Sequence, residues 1–303
     1  MSHTLSLPNP FAPGPNSKLM RLSDLLLLAV AMVWGSSYGV AKGALVFYPV
    51  LGFLAVRFLL TFALLLPSLL MATRAQRHDA LRSGLPLGAL MLSIFLAETY
   101  GVALTQASNA AFLISLCVVF TPFFEWVLLG RRPAPSLFGF AAVSLVGAAL
   151  LSGGLHGALG LGEGLMLGAA LLRALTMCMT AKLGRNSTAP ALALTAVQAG
   201  VIGFGSVLLA LAANQGLPQL PTQSAFWWAS VYLVLGCTVF AFFAQNWALK
   251  HASPSRVALL TSSEPAFGAL FAVFWLGESL EPSAWLGGAL IVLAALWTSA
   301  RRA

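Results

Sequence analysis

The chain has 303 residues, of which 59% are hydrophobic and 8% are charged. A soluble domain carries about 25% charged residues, so this composition excludes a protein with a water-facing surface and predicts an all-α integral membrane protein. The formal charge of +8 does not indicate nucleic-acid binding, because the basic residues follow the pattern of membrane topology. The three cysteines, Cys117, Cys178 and Cys237, are scattered through apolar runs, and we predict no disulfide, metal site or other cofactor.

Ten apolar stretches follow a short N-terminal segment. Residues 1–21 begin with a run rich in Pro, Ser and Asn, and we expect them to form a disordered cytoplasmic tail. A helix needs about 20 apolar residues to cross a bilayer, and ten later stretches come close to that length. They cover residues 24–44, 49–71, 85–106, 109–129, 136–153, 161–181, 190–213, 225–248, 254–276 and 284–300.

Charged residues between these stretches predict the orientation of the chain. On one side of the membrane, the connectors and chain ends contain Lys18, Arg21, Arg74, Arg77, Arg82, Arg131, Arg132, Lys182, Arg185, Lys250, Arg256, Arg301 and Arg302. The connectors on the other side contain Glu163, Glu278 and Glu281 but no lysine or arginine. Because loops rich in lysine and arginine stay in the cytoplasm, both termini are predicted to be cytoplasmic.

Part of the first half of the chain recurs in the second half, 147 residues later. The matched pairs are Ser108 and Ser255, Ser115 and Ser262, Leu129-Gly130 and Leu276-Gly277, and Pro135-Ser136 and Pro282-Ser283. With five helices in each half, the second half enters the membrane from the opposite side. Residues 22–153 and 154–303 are therefore predicted to be inverted repeats, an architecture of secondary transporters in which substrate binds near the middle of the membrane.

Two of the predicted helices contain polar or proline interruptions. The fourth contains Thr121-Pro122, and the ninth contains Ser262, Ser263, Glu264 and Pro265. Interrupted helices in corresponding places of two halves point to a transport site. We therefore predict hinges near Pro122 and Pro265 and a central cavity lined by Ser262, Ser263 and Glu264.

Five charged residues fall well inside the predicted helices, namely Arg57, Glu98, Glu125, Arg173 and Glu264. A charge at this depth is costly, and it should face the protein interior and have a partner. One hypothesis is that Arg173 and either Glu98 or Glu264 bind the two charges of a zwitterion, since a guanidinium binds a carboxylate through two parallel hydrogen bonds. The alternative is a structural ion pair that closes the interface between the two halves.

Several uncharged polar residues share these depths. Tyr100 lies close to Glu98 in the sequence, and Gln245 and Asn246 lie near the inner end of the eighth helix. The two amides either line a pathway or form hydrogen bonds between helices.

The first helix has a glycine face and an aromatic face. Gly35, Gly39 and Gly43 recur every fourth residue, which predicts close approach of a neighbouring helix. Trp34, with Tyr38 one turn later, is too deep for an interfacial anchor, and it either lines a cavity or fills the core. The segment also matches the hydrolase pattern G-x-S-x-G, but that motif requires a strand–turn–helix with a histidine and an acid partner, so we do not predict an enzyme.

Several segments together resemble one transporter family. They are Trp34-Gly35 with Lys42, Arg57-Phe58, Asn109-Ala110-Ala111-Phe112-Leu113, Ser253-Pro254-Ser255-Arg256, Glu264-Pro265 with Phe267, and Leu276-Gly277-Glu278. From about residue 22 onward the chain resembles the EamA branch of the drug/metabolite transporter superfamily. Within it, the chain is most similar to the YddG-type exporters of aromatic and other amino acids. The family's first repeat usually has a proline where Val118 stands.

The resemblance implies two inverted five-helix repeats and alternating access without ATP hydrolysis. We therefore expect an exporter of amino acids or similar small metabolites in the bacterial inner membrane, with no cofactor and no nucleic-acid partner. The expected cavity is lined by Trp34, Tyr38, Glu98, Tyr100, Arg173, Gln245, Ser262, Ser263 and Glu264. Lys42, Arg57, Arg256 and Glu278 are assigned to gating or to the fold.

Alternative functions differ in the chemistry that they require. Transport of sugar-phosphates or nucleotide-sugars needs a basic cluster at mid-membrane, where only Arg173 is predicted. The same fold could also export drugs or organic cations. An intramembrane enzyme needs clustered His, Asp or Cys at one depth, which the sequence lacks. A channel is the remaining possibility, and saturable counterflow would exclude it.

Overall fold

The computed structural model describes residues 17–105, 107–152, 160–185, 187–213, 216, 219–276 and 280–300. Every regular element in these ranges is helical and none is a strand, which confirms the predicted all-α class. The first helix begins at Ser17, so residues 17–21 are helical although the sequence assigned them to the tail. Residues 1–16 and Glu278 lie outside the described residues.

The predicted apolar stretches coincide closely with helices. The α-helices are α1 (Ser17–Leu45), α2 (Val50–Leu70), α3 (Arg74–Leu104), α4 (Ala107–Ser115), α5 (Cys117–Leu129), α6 (Pro135–Ser152), α7 (Leu161–Gly184), α8 (Ala191–Ala212), α9 (Ser224–Tyr232), α10 (Ala241–Ala248), α11 (Pro254–Thr261), α12 (Glu264–Leu276) and α13 (Pro282–Ala300). A π-helical segment, Leu233–Phe240, joins α9 to α10 without a break.

The third helix begins earlier than its apolar stretch predicts. It starts at Arg74 rather than at residue 85, because Thr73 and Gln76 form a capping box. The Gln76 N–H donates to Thr73 Oγ1 at 3.3 Å, and the Thr73 N–H donates to Gln76 Oε1 at 3.0 Å. These bonds satisfy two backbone donors that a helix start otherwise leaves free, so the polar, basic connector is helical.

Seven helical segments in the described ranges are long and apolar enough to cross a membrane. The apolar helices α6 and α13 are shorter where described, and the stretch 254–276 is divided into α11 and α12. The outer faces of α2 and α8 carry exposed apolar side chains, namely Leu60, Leu64, Phe204, Leu208 and Leu211. Extensive apolar surface of this kind fits contact with lipid rather than water.

Two predicted helices are interrupted at positions that lie 147 residues apart. Leu116 separates α4 from α5, and Ser262-Ser263 separates α11 from α12. The Ser115 hydroxyl donates to the carbonyl of Phe112 at 2.6 Å, and the Ser262 hydroxyl donates to that of Leu259 at 2.7 Å. Serine hydroxyls that bind carbonyls one turn back compete with the helical hydrogen bonds, so both interruptions are built in the same way.

The fourth predicted helix is therefore interrupted at Leu116 and not at Thr121-Pro122, as the sequence indicated. Pro122 lies inside α5, which continues to Leu129, so the loss of one backbone donor does not end the helix there. Pro265 is in the first turn of α12, where a missing N–H leaves no intrahelical bond unmade. The position of a proline within its helix decides its effect.

Gly35 brings α1 into backbone contact with α12. A methyl group at Gly35 would lie 2.5 Å from the Glu264 carbonyl oxygen and 2.6 Å from the Gly268 nitrogen, so only a hydrogen fits there. The predicted close approach is thus confirmed at Gly35. It is wrong for Gly39 and Gly43, where an added methyl group would meet no described atom within 4 Å.

A buried ion pair joins α1 to α11. Arg256 donates from Nη2 to Asp24 Oδ2 at 2.7 Å and from Nε to Oδ1 at 3.1 Å. Beside it, the Glu125 carboxylate of α5 accepts hydrogen bonds from the backbone N–H and the hydroxyl of Ser255. A carboxylate at a helix start binds N–H groups that have no intrahelical partner. The beginning of α11 is therefore held by both α1 and α5.

Gly35→Ala is expected to destabilise the protein by about 1–3 kcal/mol, because both neighbouring atoms belong to backbone and cannot move aside cheaply. The matched control is Gly39→Ala, one turn later in the same helix. Thermal unfolding in detergent, followed by tryptophan fluorescence, measures the difference. Equal melting temperatures for the two variants would contradict the close contact between α1 and α12.

Asp24→Asn is expected to lower stability by about 3–5 kcal/mol, because it leaves the Arg256 guanidinium buried without its carboxylate. Glu281→Gln removes the same charge at an exposed position and serves as the control. The melting temperature and the yield of monodisperse protein report the effect. A melting temperature for Asp24→Asn equal to that of Glu281→Gln would show that the ion pair does not stabilise the fold.

Candidate functional site

A central cavity lies between α1, α2, α3, α7, α8, α10 and α12. Together with its opening it contains about 680 Å³ of empty space. Five of the residues predicted to line a cavity do line this one, namely Trp34, Glu98, Arg173, Gln245 and Glu264. Arg57, which the sequence assigned to gating, lines it as well.

Arg173 and Glu264 form an ion pair in the wall of this cavity. Arg173 Nη2 lies 3.0 Å from Glu264 Oε2, and the two side chains are 12% and 5% exposed. The Arg173 guanidinium also lies over the Trp34 ring, with Cζ 4.4 Å from the ring centroid, which is a favourable cation–π geometry. Both charged residues belong to residues 154–303, so the ion pair does not itself join them to residues 22–153, whereas the stacking of Arg173 on Trp34 does.

Trp34 is held in place by the π-helical segment. Its indole Nε1–H donates to the Cys237 carbonyl at 2.9 Å. Trp34 is 9% exposed and belongs to a cluster of buried apolar residues that also includes Phe53, Phe58 and Phe242. Trp34 therefore combines both roles that the sequence left open, because one part of the ring fills the core and another lines the cavity.

Arg57 reaches the cavity from α2 and is attached to the same π-helical segment. Its Nε donates to Thr238 Oγ1 at 3.0 Å, and that hydroxyl donates to the Leu233 carbonyl at 2.8 Å. The guanidinium carbon lies 5.2 Å from the Phe58 centroid and 5.4 Å from the Phe95 centroid. The sequence indicated only how deep Arg57 lies in the membrane. Depth alone did not show whether its side chain lines the cavity or belongs to a gate.

Glu98 lines the cavity from α3, and its carboxylate has no salt bridge to any residue in the described ranges. Tyr38, predicted to line the cavity, is instead buried beside Val102 and Leu113. The Tyr38 hydroxyl has no hydrogen-bond partner among the described residues. Tyr100 does not reach the central cavity either. Tyr100 faces another direction on its helix, whereas the Tyr38 hydroxyl lies near the Glu98 and Glu264 carboxylates without lining the cavity.

The serines at the break in the ninth predicted helix do not line the central cavity. Ser262 borders a smaller cavity with about 200 Å³ of empty space, which shares Arg173 and Glu264 with the central one. Its hydroxyl oxygen lies 3.0 Å from that of Ser144. Ser263 is fully buried, and its hydroxyl donates to the Leu260 carbonyl at 2.7 Å. Their hydroxyls shape the break between α11 and α12.

A cluster of amides forms one end of the cavity. Asn246 Nδ2 donates to Gln198 Oε1 at 2.9 Å and to Thr195 Oγ1 at 3.1 Å, whereas Gln245 lines the cavity beside them. Both interpretations are therefore correct for Asn246, which forms these bonds and also lines the cavity, whereas Gln245 lines the cavity. Gln198 was not predicted as a site residue, although a single glutamine in the largely apolar helix α8 was a usable signal.

The remaining predicted gating residues lie away from the cavity. Lys42 is exposed near the end of α1. Pro122 and Pro265 are buried in α5 and α12 and do not line the central cavity. Among the described residues, the ionisable groups that line the cavity are two arginines and two glutamates, so their formal charges cancel.

Comparisons with known proteins agree with this architecture. The model of the EamA-like transporter family matches residues 21–153 and again residues 160–300. An uncharacterized transporter of Archaeoglobus fulgidus is 28% identical over 290 residues, covering 92% of this chain and 86% of the relative. The uncharacterized inner membrane transporter YedA of Escherichia coli K12 is 27% identical over 291 residues, covering 91% of each chain.

A solved crystal structure has the same fold. It superposes with a TM-score of 0.72 over 90% of this chain and 95% of the other, with 18% sequence identity. At that identity the likeness concerns the fold alone. The two family matches, by contrast, include every residue that lines the central cavity. The protein therefore belongs to the EamA-like transporter family.

Proposed function

We propose that this protein is a secondary transporter that exports amino acids, aromatic and other neutral ones, across the bacterial inner membrane. Membership of a transporter family supports transport of a small molecule. The relative in Escherichia coli, an inner membrane transporter by name, supports the location. The YddG-type similarity seen in the sequence supports amino acids as the cargo.

The single observation that carries the choice of substrate is the chemistry of the central cavity. Two cations, Arg57 and Arg173, and two carboxylates, Glu98 and Glu264, line a space whose remaining wall includes Trp34 and other aromatic rings. Balanced charges suit a zwitterion, and the aromatic and aliphatic part of the wall suits an apolar side chain. Hydroxyl and amide groups in the rest of the wall offer further hydrogen bonds. A sugar-phosphate site needs excess positive charge and an organic-cation site needs excess negative charge, so the balance disfavours both.

The proposed architecture is ten membrane spans arranged as two inverted repeats, residues 22–153 and 154–303. Two consecutive family matches support this division. The helix interruptions at Leu116 and at Ser262-Ser263 also support it, because they follow the 147-residue shift between the halves. In this arrangement both termini are cytoplasmic, as the distribution of lysine and arginine indicates.

Alternating access in this architecture depends on contacts between the halves at each end of the molecule. At the end predicted to be cytoplasmic, Asp24 binds Arg256 and Glu125 binds Ser255. At the opposite end, the Thr105 hydroxyl donates to the Glu163 carboxylate. We propose that opening to each side breaks the contacts of that side only. The interrupted helices, near Leu116 and Pro265, then provide the hinges.

Counterflow in proteoliposomes tests the proposed function. Vesicles loaded with unlabelled L-phenylalanine are expected to accumulate labelled L-phenylalanine transiently, because a carrier exchanges the two through one site. The external concentration dependence should be saturable, and vesicles without protein provide the control. Flux that rises linearly with concentration would indicate a channel. Exchange of sugar-phosphates or organic cations, without exchange of amino acids, would assign a different cargo.

Labelling with a membrane-impermeant maleimide tests the proposed topology. The three native cysteines, all buried, are replaced by alanine, and Ser2→Cys or Leu155→Cys is introduced singly. In intact cells Leu155→Cys is expected to react, whereas Ser2→Cys should react only after the membrane is permeabilised. Reaction of both positions from the same side would contradict the inverted arrangement of the halves.

A further inference from the structure

The four ionisable residues of the central cavity differ in whether another residue of the protein already pairs with their charge. Arg173 and Glu264 bind each other at 3.0 Å, and Arg173 also stacks on Trp34. A buried charge that has a direct partner gains less from a ligand, and removing either member leaves the other buried and unpaired. The ion pair is therefore better suited to hold the cavity wall together than to bind a substrate.

Arg57, by contrast, is a buried cation without a carboxylate partner in the part of the chain that the structure describes. It is 7% exposed, and no salt bridge to it occurs within the described ranges. Its one hydrogen bond there uses Nε, although a guanidinium has five N–H donors. The rings of Phe58 and Phe95 face the charge, but an unpaired guanidinium inside a membrane protein remains costly.

The unused donors of Arg57 have a definite geometry. With Nε bound to Thr238, the two terminal amino groups remain, and they form a planar edge with two parallel N–H groups. That edge matches a carboxylate through two hydrogen bonds. Arg57 also lines the cavity, so a carboxylate that enters from the cavity supplies the missing negative charge.

Glu98 supplies the opposite pole in the same cavity. It follows Phe95 by three residues on α3 and lines the cavity with it, as residues three apart on a helix share a face. Its carboxylate has no salt bridge among the described residues. An ammonium group has three donors and no acceptor, and a carboxylate that accepts from it gains a charge-assisted hydrogen bond.

An aromatic wall lies beside these two poles. The Phe95 ring packs 4.6 Å from Phe58 and 5.9 Å from Phe242, measured between centroids. Phe95, Phe242 and Met91 line the cavity. These side chains have no hydrogen-bonding groups to offer apart from the weakly accepting sulfur of Met91, so this wall selects an apolar substituent.

We infer that Arg57 and Glu98, rather than Arg173 and Glu264, select the substrate by binding its carboxylate and its ammonium, with the apolar side chain against Phe95 and Phe242. This inference rests on the proposed transport of amino acids and names the groups that recognise them. The substrate class is a free α-amino acid with an apolar or aromatic side chain. Analogues that lack either charged group leave one pole without a partner, so the site excludes them.

Competition in the counterflow assay tests the inference with three probes of one shape. L-phenylalanine carries both charged groups, phenethylamine lacks the carboxylate, and 3-phenylpropionate lacks the ammonium. In the wild type, each analogue is expected to compete at least about tenfold more weakly than L-phenylalanine, since a buried unpaired charge costs at least about the 1.4 kcal/mol that corresponds to tenfold.

The variants are expected to lose discrimination selectively. Arg57→Met should let phenethylamine compete as well as L-phenylalanine, while 3-phenylpropionate remains excluded. Glu98→Gln should let 3-phenylpropionate compete as well as L-phenylalanine, while phenethylamine remains excluded. Arg173→Met should slow exchange without changing the order of the three competitors. Arg82→Met and Glu281→Gln remove one exposed charge each and should keep the wild-type order.

Each outcome of this experiment decides between the two proposals. If the wild type exchanges L-phenylalanine but Arg57→Met and Glu98→Gln keep its competitor order, the assignment of the two poles is overturned while the transport function stands. If Arg173→Met changes the order instead, the ion pair is the binding site. If the wild type exchanges no amino acid, the proposed function fails and the assignment fails with it.

Folding of the variants is checked by size-exclusion chromatography and thermal unfolding. Should Arg57→Met not fold, Arg57→Lys retains the charge but not the planar pair of donors. The lysine variant is then expected to weaken competition by L-phenylalanine relative to phenethylamine by about tenfold, the value of one lost charge-assisted hydrogen bond. An unchanged ratio would overturn the assignment.

Discussion

Charge inside a membrane-spanning protein has to be balanced by the protein itself, and the contact of Arg173 with Glu264 and Trp34 meets this constraint. Trp34 covers the guanidinium, and its neighbour Gly35 lies against the backbone of Glu264. Two adjacent residues of α1 thus contact both members of the ion pair. Because α1 can approach only where a side chain is missing, Gly35 fixes the position of the charges as well as that of the helix.

Much of the fold could be predicted from composition and charge. Lipid excludes unpaired backbone groups, so apolar stretches of sufficient length form helices, and the predicted stretches coincide with helices in the structure. The start of α3 was missed because it depends on the side chains of Thr73 and Gln76 and not on hydropathy. Local capping chemistry has to be considered separately from membrane depth.

The site was only partly predictable, because depth along a helix follows from the sequence but rotation about its axis does not. Each residue turns the side-chain direction by about 100° in a helix with 3.6 residues per turn. Glu98 therefore lines the cavity while Tyr100 does not. Arg57 was placed at a plausible depth, but its direction depends on Thr238, which is distant in sequence. The interruption of the fourth predicted helix was also misplaced, because it was assigned to Pro122. The structure has it at Leu116, directly after Ser115.

The π-helical segment links the two arginines of the cavity through consecutive residues. Cys237 accepts the hydrogen bond of Trp34, on which Arg173 stacks, and Thr238 accepts that of Arg57. Segments of this kind often mark functional sites, where an inserted residue widens one turn of a helix. A shortening of this widened turn to ordinary α-helical spacing would pull both attachments together. The two positive groups are consequently anchored to one short segment, although they belong to opposite halves of the polypeptide.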